Sequence, residues 1–214
     1  TYNKPDFNVV DHYTFGLTSD GDLMEGVASE AASLAGTLGL GKLIYLYDDN
    51  KITIEGSTDI AFTEDVEMRF KAYGWQVLRV ADSEDVEAMA AAVEEAKANT
   101  TQPSLIIVRT HIGFGSPKQD SPSCHGEPLG ADALKATKEK AGWTEEMFHV
   151  PAEVKEHFDA KLPACADAEA SWKALFEDYK MVYPELAKEL QDRIDGNMMV
   201  NLSALTAIFK DTAK

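Results

Sequence analysis

Short, wholly apolar runs that alternate with helix-patterned stretches constrain this chain most. Leu43–Tyr47 reads LIYLY and Ser104–Arg109 reads SLIIVR, compact strands of the kind buried on both faces. Two more β-like runs occur, from His12 to Leu17 and as WQVLRV from Trp75. Between them lie segments with apolar residues at helical spacing. Leu23, Met24, Val27, Ala28, Ala31, Leu34, Ala35 and Leu38 form one stripe, which predicts a single helix from Leu23 to Leu38 with that stripe buried. Further helices are predicted around Glu64–Tyr73 and Ser83–Ala98. Strands and helices in this rhythm require right-handed crossovers, so the fold class is α/β, a parallel sheet with helices on both faces.

Beyond Arg109 the pattern changes. The segment THIGFGSPKQDSPSCHGEPLGAD is rich in Gly, Pro and Ser, and aperiodic loops of this length are usually functional or mobile. Helical stretches follow at about Ala131–Ala141, Pro151–Ala160, Ala168–Tyr183 and Pro184–Ile194, a C-terminal helical extension. The expected organisation is a core over 1–130, the extension over 131–196, and a tail or linker over 197–214 that could form an amphipathic helix.

With 20 basic and 37 acidic residues the formal charge is −17, which excludes nucleic acid as the expected partner. An anionic ligand therefore needs a local device to hold it. No apolar stretch reaches membrane-spanning length. Two cysteines, Cys124 and Cys165, are too few for a disulfide framework and fit a reducing compartment. The chain begins with Thr1, as expected of a processed, truncated or excised piece.

The chemistry lies where the first two strands stop. One halts at Ser19-Asp20-Gly21-Asp22 and the next at Asp48-Asp49-Asn50, with Asp20 and Asn50 separated by 30 residues, one strand–helix–strand unit. Ligands of open parallel sheets bind outside the carboxyl ends of the strands. A carboxylate, an amide oxygen and a nearby backbone carbonyl are hard donors suited to Mg²⁺. Gly21 allows close backbone approach, and the following helix points free N–H groups the same way. Each break alone reads as a common turn, so the residues leave two readings open: a pair of surface turns, or one Mg²⁺–diphosphate site.

GDLMEG, SEAASLAGTLGLGKLI, YDDNKITIEG, AFTEDVEMRFKAYGW, PSLIIVRTHIGFGSP and HGEPLGAD together resemble transketolase, in the part that binds the diphosphate end of thiamine diphosphate. The resemblance runs in unbroken order from Asn3 to Gly196, about nine-tenths of the chain. It implies the thiamine-diphosphate-binding fold, with Asp20 and Asn50 as side-chain ligands of Mg²⁺ (or Ca²⁺) and Ile52 as a backbone-carbonyl ligand. Gly21 would lie against the diphosphate and Ile112 near the thiazolium ring. His125 would stand near the diphosphate and the incoming sugar. Glu25 matches a glutamate at the family's subunit interface that links the two cofactor sites of the homodimer.

Two residues depart from the family pattern. Ser19 replaces the first glycine of the signature, and Asp22 stands where the family more often has Cys; its charge is expected to weaken diphosphate binding unless it turns outward.

The activity implied is transfer of a two-carbon ketol unit from a ketose phosphate to an aldose phosphate, a reaction of the pentose phosphate pathway and the Calvin cycle. Sugar phosphates are the expected ligands, and a second copy of the chain or the family's pyrimidine-binding domain the expected protein partner. The glutamate that activates the aminopyrimidine belongs to that other domain. The chain alone is therefore expected to be an inactive fragment that binds the cofactor or dimerises through the Leu23–Leu38 region. Dihydroxyacetone synthase and a dehydrogenase subunit are the alternative thiamine-diphosphate enzymes. Cytosol and plastid stroma both fit.

Overall fold

The computed structural model describes residues 1–144 and 146–197. The 198–214 part of the expected amphipathic tail lies outside the described residues. The chain forms two compact units, one spanning His12–His149 and the other combining Thr1–Asp11 with the described residues from Val150 onward.

The first unit carries the sheet. Its strands are β1 (Thr14–Ser19), β2 (Leu43–Asp49), β3 (Gln76–Val80) and β4 (Ser104–Arg109), all parallel and ordered β1-β2-β4-β3. Between them come α1 (Asp20–Met24) and α2 (Gly26–Leu38), then α3 (Val66–Ala72), then α4 (Val86–Ala98); α5 (Ser123–Gly126) and α6 (Ala131–Lys140) follow β4. Leu105, Ile106, Ile107 and Val108 of β4 are all buried because successive side chains of this central strand meet helices on opposite faces. Leu105 and Ile107 pack with Ala32 and Ala35 of α2 and Val66 and Phe70 of α3. Ile106 and Val108 pack with Ala92 and Ala96 of α4.

The helix predicted over Leu23–Leu38 is two helices. The chain breaks at Glu25, whose φ and ψ of −70° and 134° are extended, and Arg69 of α3 donates to the Leu23 carbonyl at 3.1 Å, satisfying an acceptor that the break leaves free. The buried stripe differs too. Of the eight predicted positions only Leu23 and Ala35 are buried, while Val27, Leu34 and Leu38 are 69%, 58% and 61% exposed. The reason is distance: a Cβ on Gly36 would lie 1.8 Å from the Tyr73 carbonyl oxygen, and the Trp75 indole donates to the Ala32 carbonyl at 2.8 Å. Only small residues fit so close an approach, and the large apolar ones face outward.

The second unit contains α7 (Ala152–Asp159), α8 (Leu162–Val182) and α9 (Pro184–Ile194). Helix α8 starts six residues before the expected Ala168, because Pro163 falls in its first turn, where the missing N–H breaks no helical bond. Val9 joins Phe176, Tyr179, Ala187 and Leu190 in the core. Trp172 donates to the Val9 carbonyl at 2.9 Å and Tyr179 to the Tyr2 carbonyl at 2.7 Å, tying the N-terminal segment to these helices. Among the described residues no helix is long and apolar enough to cross a membrane.

Candidate functional site

Parallel pairing sets Ser19 opposite Asp48 and Asp49 opposite Arg109, so three strands end at one level. Beyond β1 the backbone turns into α1 at Asp20, which is 2% exposed. Tyr47, one turn of the pleat before the end of β2, donates its hydroxyl to Asp20 Oδ1. Past Asn50 the chain enters the left-handed region at Lys51, with φ 66°, close to the Asp20 carboxylate. Asp20 Oδ2 has no hydrogen-bond partner among the described residues. Burial raises the Asp20 carboxyl above its ordinary value, and the nearby Asp49 charge adds to this against the opposing effect of Tyr47 and Lys51. Tyr47 is likewise held above its usual value, first by burial and then by Asp20. The Lys51 ammonium lies 2.6 Å from Asp49 Oδ1.

Asn50 is fixed from both ends of its amide. Its Oδ1 accepts from the Ile52 N–H at 2.8 Å and its Nδ2 donates to Asp48 Oδ2 at 3.2 Å. Asp48 in turn accepts from the Thr110 hydroxyl, just past β4, and Arg109 donates to the Asp49 carbonyl at 2.7 Å. Ile52 and Ser57 form an antiparallel bridge whose bonds run from Thr58 N to the Lys51 carbonyl and from Thr53 N to the Gly56 carbonyl. That is the non-hydrogen-bonded kind of pair. The N–H and C=O of Ile52 itself therefore both turn away from Ser57, on the edge where its N–H meets Asn50. The two breaks are thus joined through Tyr47.

The donor set fits a hard divalent cation. It offers a buried carboxylate with an unpartnered oxygen, an amide oxygen whose nitrogen is already committed, and a peptide carbonyl on the same edge; Mg²⁺ takes such oxygens while keeping positions for water and phosphate. Gly21 has no positive φ, and a Cβ there would meet no atom within 4 Å. The backbone does not require glycine at this position, and the space in front of it is open. Among the described residues no group of three or more His, Cys, Asp or Glu is arranged to hold a metal; the set above uses a single carboxylate.

Ser19 and Asp22 act on each other. The Ser19 backbone N–H and hydroxyl both donate to Asp22 Oδ2, at 2.8 and 2.9 Å. Ser19 has φ −123°, extended backbone that needs no glycine.

Elsewhere, Glu25 stands exposed at the break between α1 and α2. The segment after β4 folds back on itself: Asp120 N donates to the Ile112 carbonyl at 2.9 Å, and the Cys124 thiol donates to the Lys118 carbonyl at 3.1 Å. His125 is exposed on α5, while His111, earlier in the same segment, has its Nδ1 3.0 Å from Asp120. Tyr47, Asp48, Lys51 and Thr110 were not singled out from sequence. The first three are contiguous with Asn50 in the run YDDNK, whose acidic residues mark the end of the strand but not the Tyr47 bond to Asp20.

Comparison with known proteins identifies the family and agrees with the fold. Residues 1–199 match the family model described as transketolase, thiamine diphosphate binding domain. A transketolase of Streptococcus pyogenes is 54% identical over 89% of this chain and 26% of its own length, and one of Bacillus subtilis is 51% identical over 92% and 30%. Among solved structures, a Pichia stipitis transketolase in complex with sedoheptulose-7-phosphate superposes with a TM-score of 0.85 at 50% identity, covering 94% of this chain and 30% of that one. A Leishmania mexicana transketolase gives 0.86 at 38% identity. The chain spans about 30% of the length of these relatives, and it belongs to the transketolase family, in the region of its thiamine-diphosphate-binding domain.

Proposed function

We propose that the ends of β1 and β2 form the Mg²⁺–diphosphate half of a transketolase active site. The observation that carries this reading is the buried Asp20 carboxylate, which has one oxygen bonded to Tyr47 and the other without a partner. A buried carboxylate left in this state is unfavourable unless a cation completes it. Asp20, Asn50 and the Ile52 carbonyl would hold the metal, and the open backbone at Gly21 would face the diphosphate. In a chain of charge −17, the metal supplies the positive field that the protein does not.

Thiamine diphosphate, when bound, supplies the carbon that takes up and releases a two-carbon ketol unit. The residues of this chain bind and orient. Tyr47 keeps the Asp20 carboxylate directed at the metal position, and Asp48 fixes which end of the Asn50 amide is the oxygen. Ile112 is assigned to the thiazolium end of the cofactor and His125 to the diphosphate and an incoming sugar phosphate. The sedoheptulose-7-phosphate complex of the Pichia stipitis relative supports that substrate class. Glu25 and the outward apolar face of α2, with Val27, Leu34 and Leu38, are assigned to contact with a second subunit. A further domain is assigned the activation of the aminopyrimidine, so the chain by itself binds cofactor without turnover.

Calorimetric titration of thiamine diphosphate into the chain tests this. Mg²⁺-dependent binding abolished by Asp20→Ala is expected. No heat from well-folded chain at saturating Mg²⁺ would refute the assignment. Sedimentation should show a dimer, and monomer alone at high concentration would remove the subunit contact.

A further inference from the structure

We propose that Asp22 is a positioning residue of this site, holding Asp20 in place by closing on Ser19. The proposal rests on the metal–diphosphate reading above for its consequence, though not for its geometry. Asp20 sits between two residues that are bonded to each other: Ser19 gives both its N–H and its hydroxyl to one oxygen of Asp22. The loop so closed contains only Asp20 and Gly21 between its ends. Gly21 is the most permissive residue type, and a Cβ there would touch nothing, so packing does not restrain it. Helix α1 is five residues long and stops at Glu25, too short to be stable by its own hydrogen bonds. Its far end is held by Arg69 on the Leu23 carbonyl. Its near end is held by Asp22.

This tether has work to perform, because Asp20 is driven the other way. A carboxylate at 2% exposure with an unpartnered oxygen gains by rotating out to water. Ordering Asp20 against that tendency requires that its backbone be fixed on both sides, and the Ser19–Asp22 closure does so with charge-assisted bonds.

The sign of the effect on cofactor affinity follows. A negative charge near a diphosphate site is expected to weaken binding by repulsion. A positioning role predicts the opposite, that removing Asp22 loosens Asp20 and weakens binding.

The test begins with the metal-free chain, ¹⁵N-labelled and without cofactor, by amide hydrogen exchange. The reporter is the Lys51 N–H, which belongs to the loop after β2 and lies close to the Asp20 carboxylate. Asp22→Ala should speed its exchange about tenfold, the size of one charge-assisted hydrogen bond, with the Ile106 and Val108 amides unchanged. Asp22→Asn keeps an oxygen that can accept from Ser19 and should stay within about threefold of wild type. Ser19→Ala, which removes one of the two bonds, should fall between, and it decides the matter if Asp22→Ala lowers protection throughout.

In calorimetry with Mg²⁺ and thiamine diphosphate, Asp22→Ala should weaken binding about tenfold and Asp22→Asn should largely restore it. Unchanged Lys51 exchange in both Asp22→Ala and Ser19→Ala would overturn the proposal, as would tighter cofactor binding by Asp22→Ala. If the wild-type chain bound no cofactor, the functional reading would fail, and the exchange result would still decide whether Asp22 positions Asp20.

Discussion

The middles of β2 and β4 and their carboxyl ends are made of the same two strands and are built to opposite specifications. At the middle, Ile44, Leu105 and Ile106 are fully buried among apolar neighbours on both faces. At the ends, the chain buries Asp49 of β2 and Asn50 just past it, and beside them Asp20, just past β1, whose Oδ2 has no hydrogen-bond partner among the described residues. The middle maximises stability and the end gives some of it up, which is how a ligand site differs from a core. Parallel pairing makes this division possible, since it brings three strand ends to one level with a rigid layer behind them.

Substitutions in the two regions should therefore differ in size and in sign. The largest effect is expected in the middle: Ile106→Ala should lower unfolding free energy by about 2–5 kcal/mol, read from the urea midpoint. A loss below 1 kcal/mol would mean that the layer behind the site collapses easily. Next is Trp75→Phe, which removes the indole bond to the Ala32 carbonyl and should cost about 1–3 kcal/mol without altering the site.

At the strand ends the sign reverses. The folded Asp20 carboxyl is raised above its ordinary value of 3.8, chiefly by burial. Between that value and the raised one the folded state holds the proton more tightly than the unfolded state, so metal-free stability falls as pH rises through this window. Asp20→Asn should accordingly stabilise the chelated chain at neutral pH, by less than the Ile106 loss, and the gain should vanish toward pH 4. A loss of stability at every pH would show that the ends are built like the middle. Smallest of all, Leu34→Ser on the exposed face of α2 should change monomer stability by less than about 0.5 kcal/mol while weakening self-association in sedimentation.

The same division governs what was legible in the sequence. The strands were visible because residues buried on both faces leave continuous apolar runs, and LIYLY and SLIIVR could hardly be anything else. The buried face of α2 was misread because periodicity weighs large apolar residues most, whereas the close approach at Gly36 and Ala32 admits only small ones. The break at Glu25 was invisible because a distant residue, Arg69, completes the helix end. The union of residues 1–11 with α8 and α9 rests on contacts more than 160 residues apart in sequence, beyond any local pattern.

At the site, Asp20 and Asn50 were legible from their spacing as turns that could converge. Tyr47, which joins Asp20 to β2, was hidden, because a tyrosine in an apolar strand reads as core. The Ser19–Asp22 closure was read as two separate departures, since a three-residue spacing reveals a hydrogen bond only once the backbone between is known.

If the ends of β1 and β2 form one metal site, a paramagnetic ion bound there lies near both. Paramagnetic broadening by Mn²⁺, added substoichiometrically with thiamine diphosphate to ¹⁵N-labelled chain, tests it most directly. The Asp20, Gly21, Asn50, Lys51 and Ile52 amides should broaden together, and Asp20→Ala should abolish the effect at both ends. Broadening confined to one strand end, or none at either while the acidic surface broadens, would contradict a single metal site.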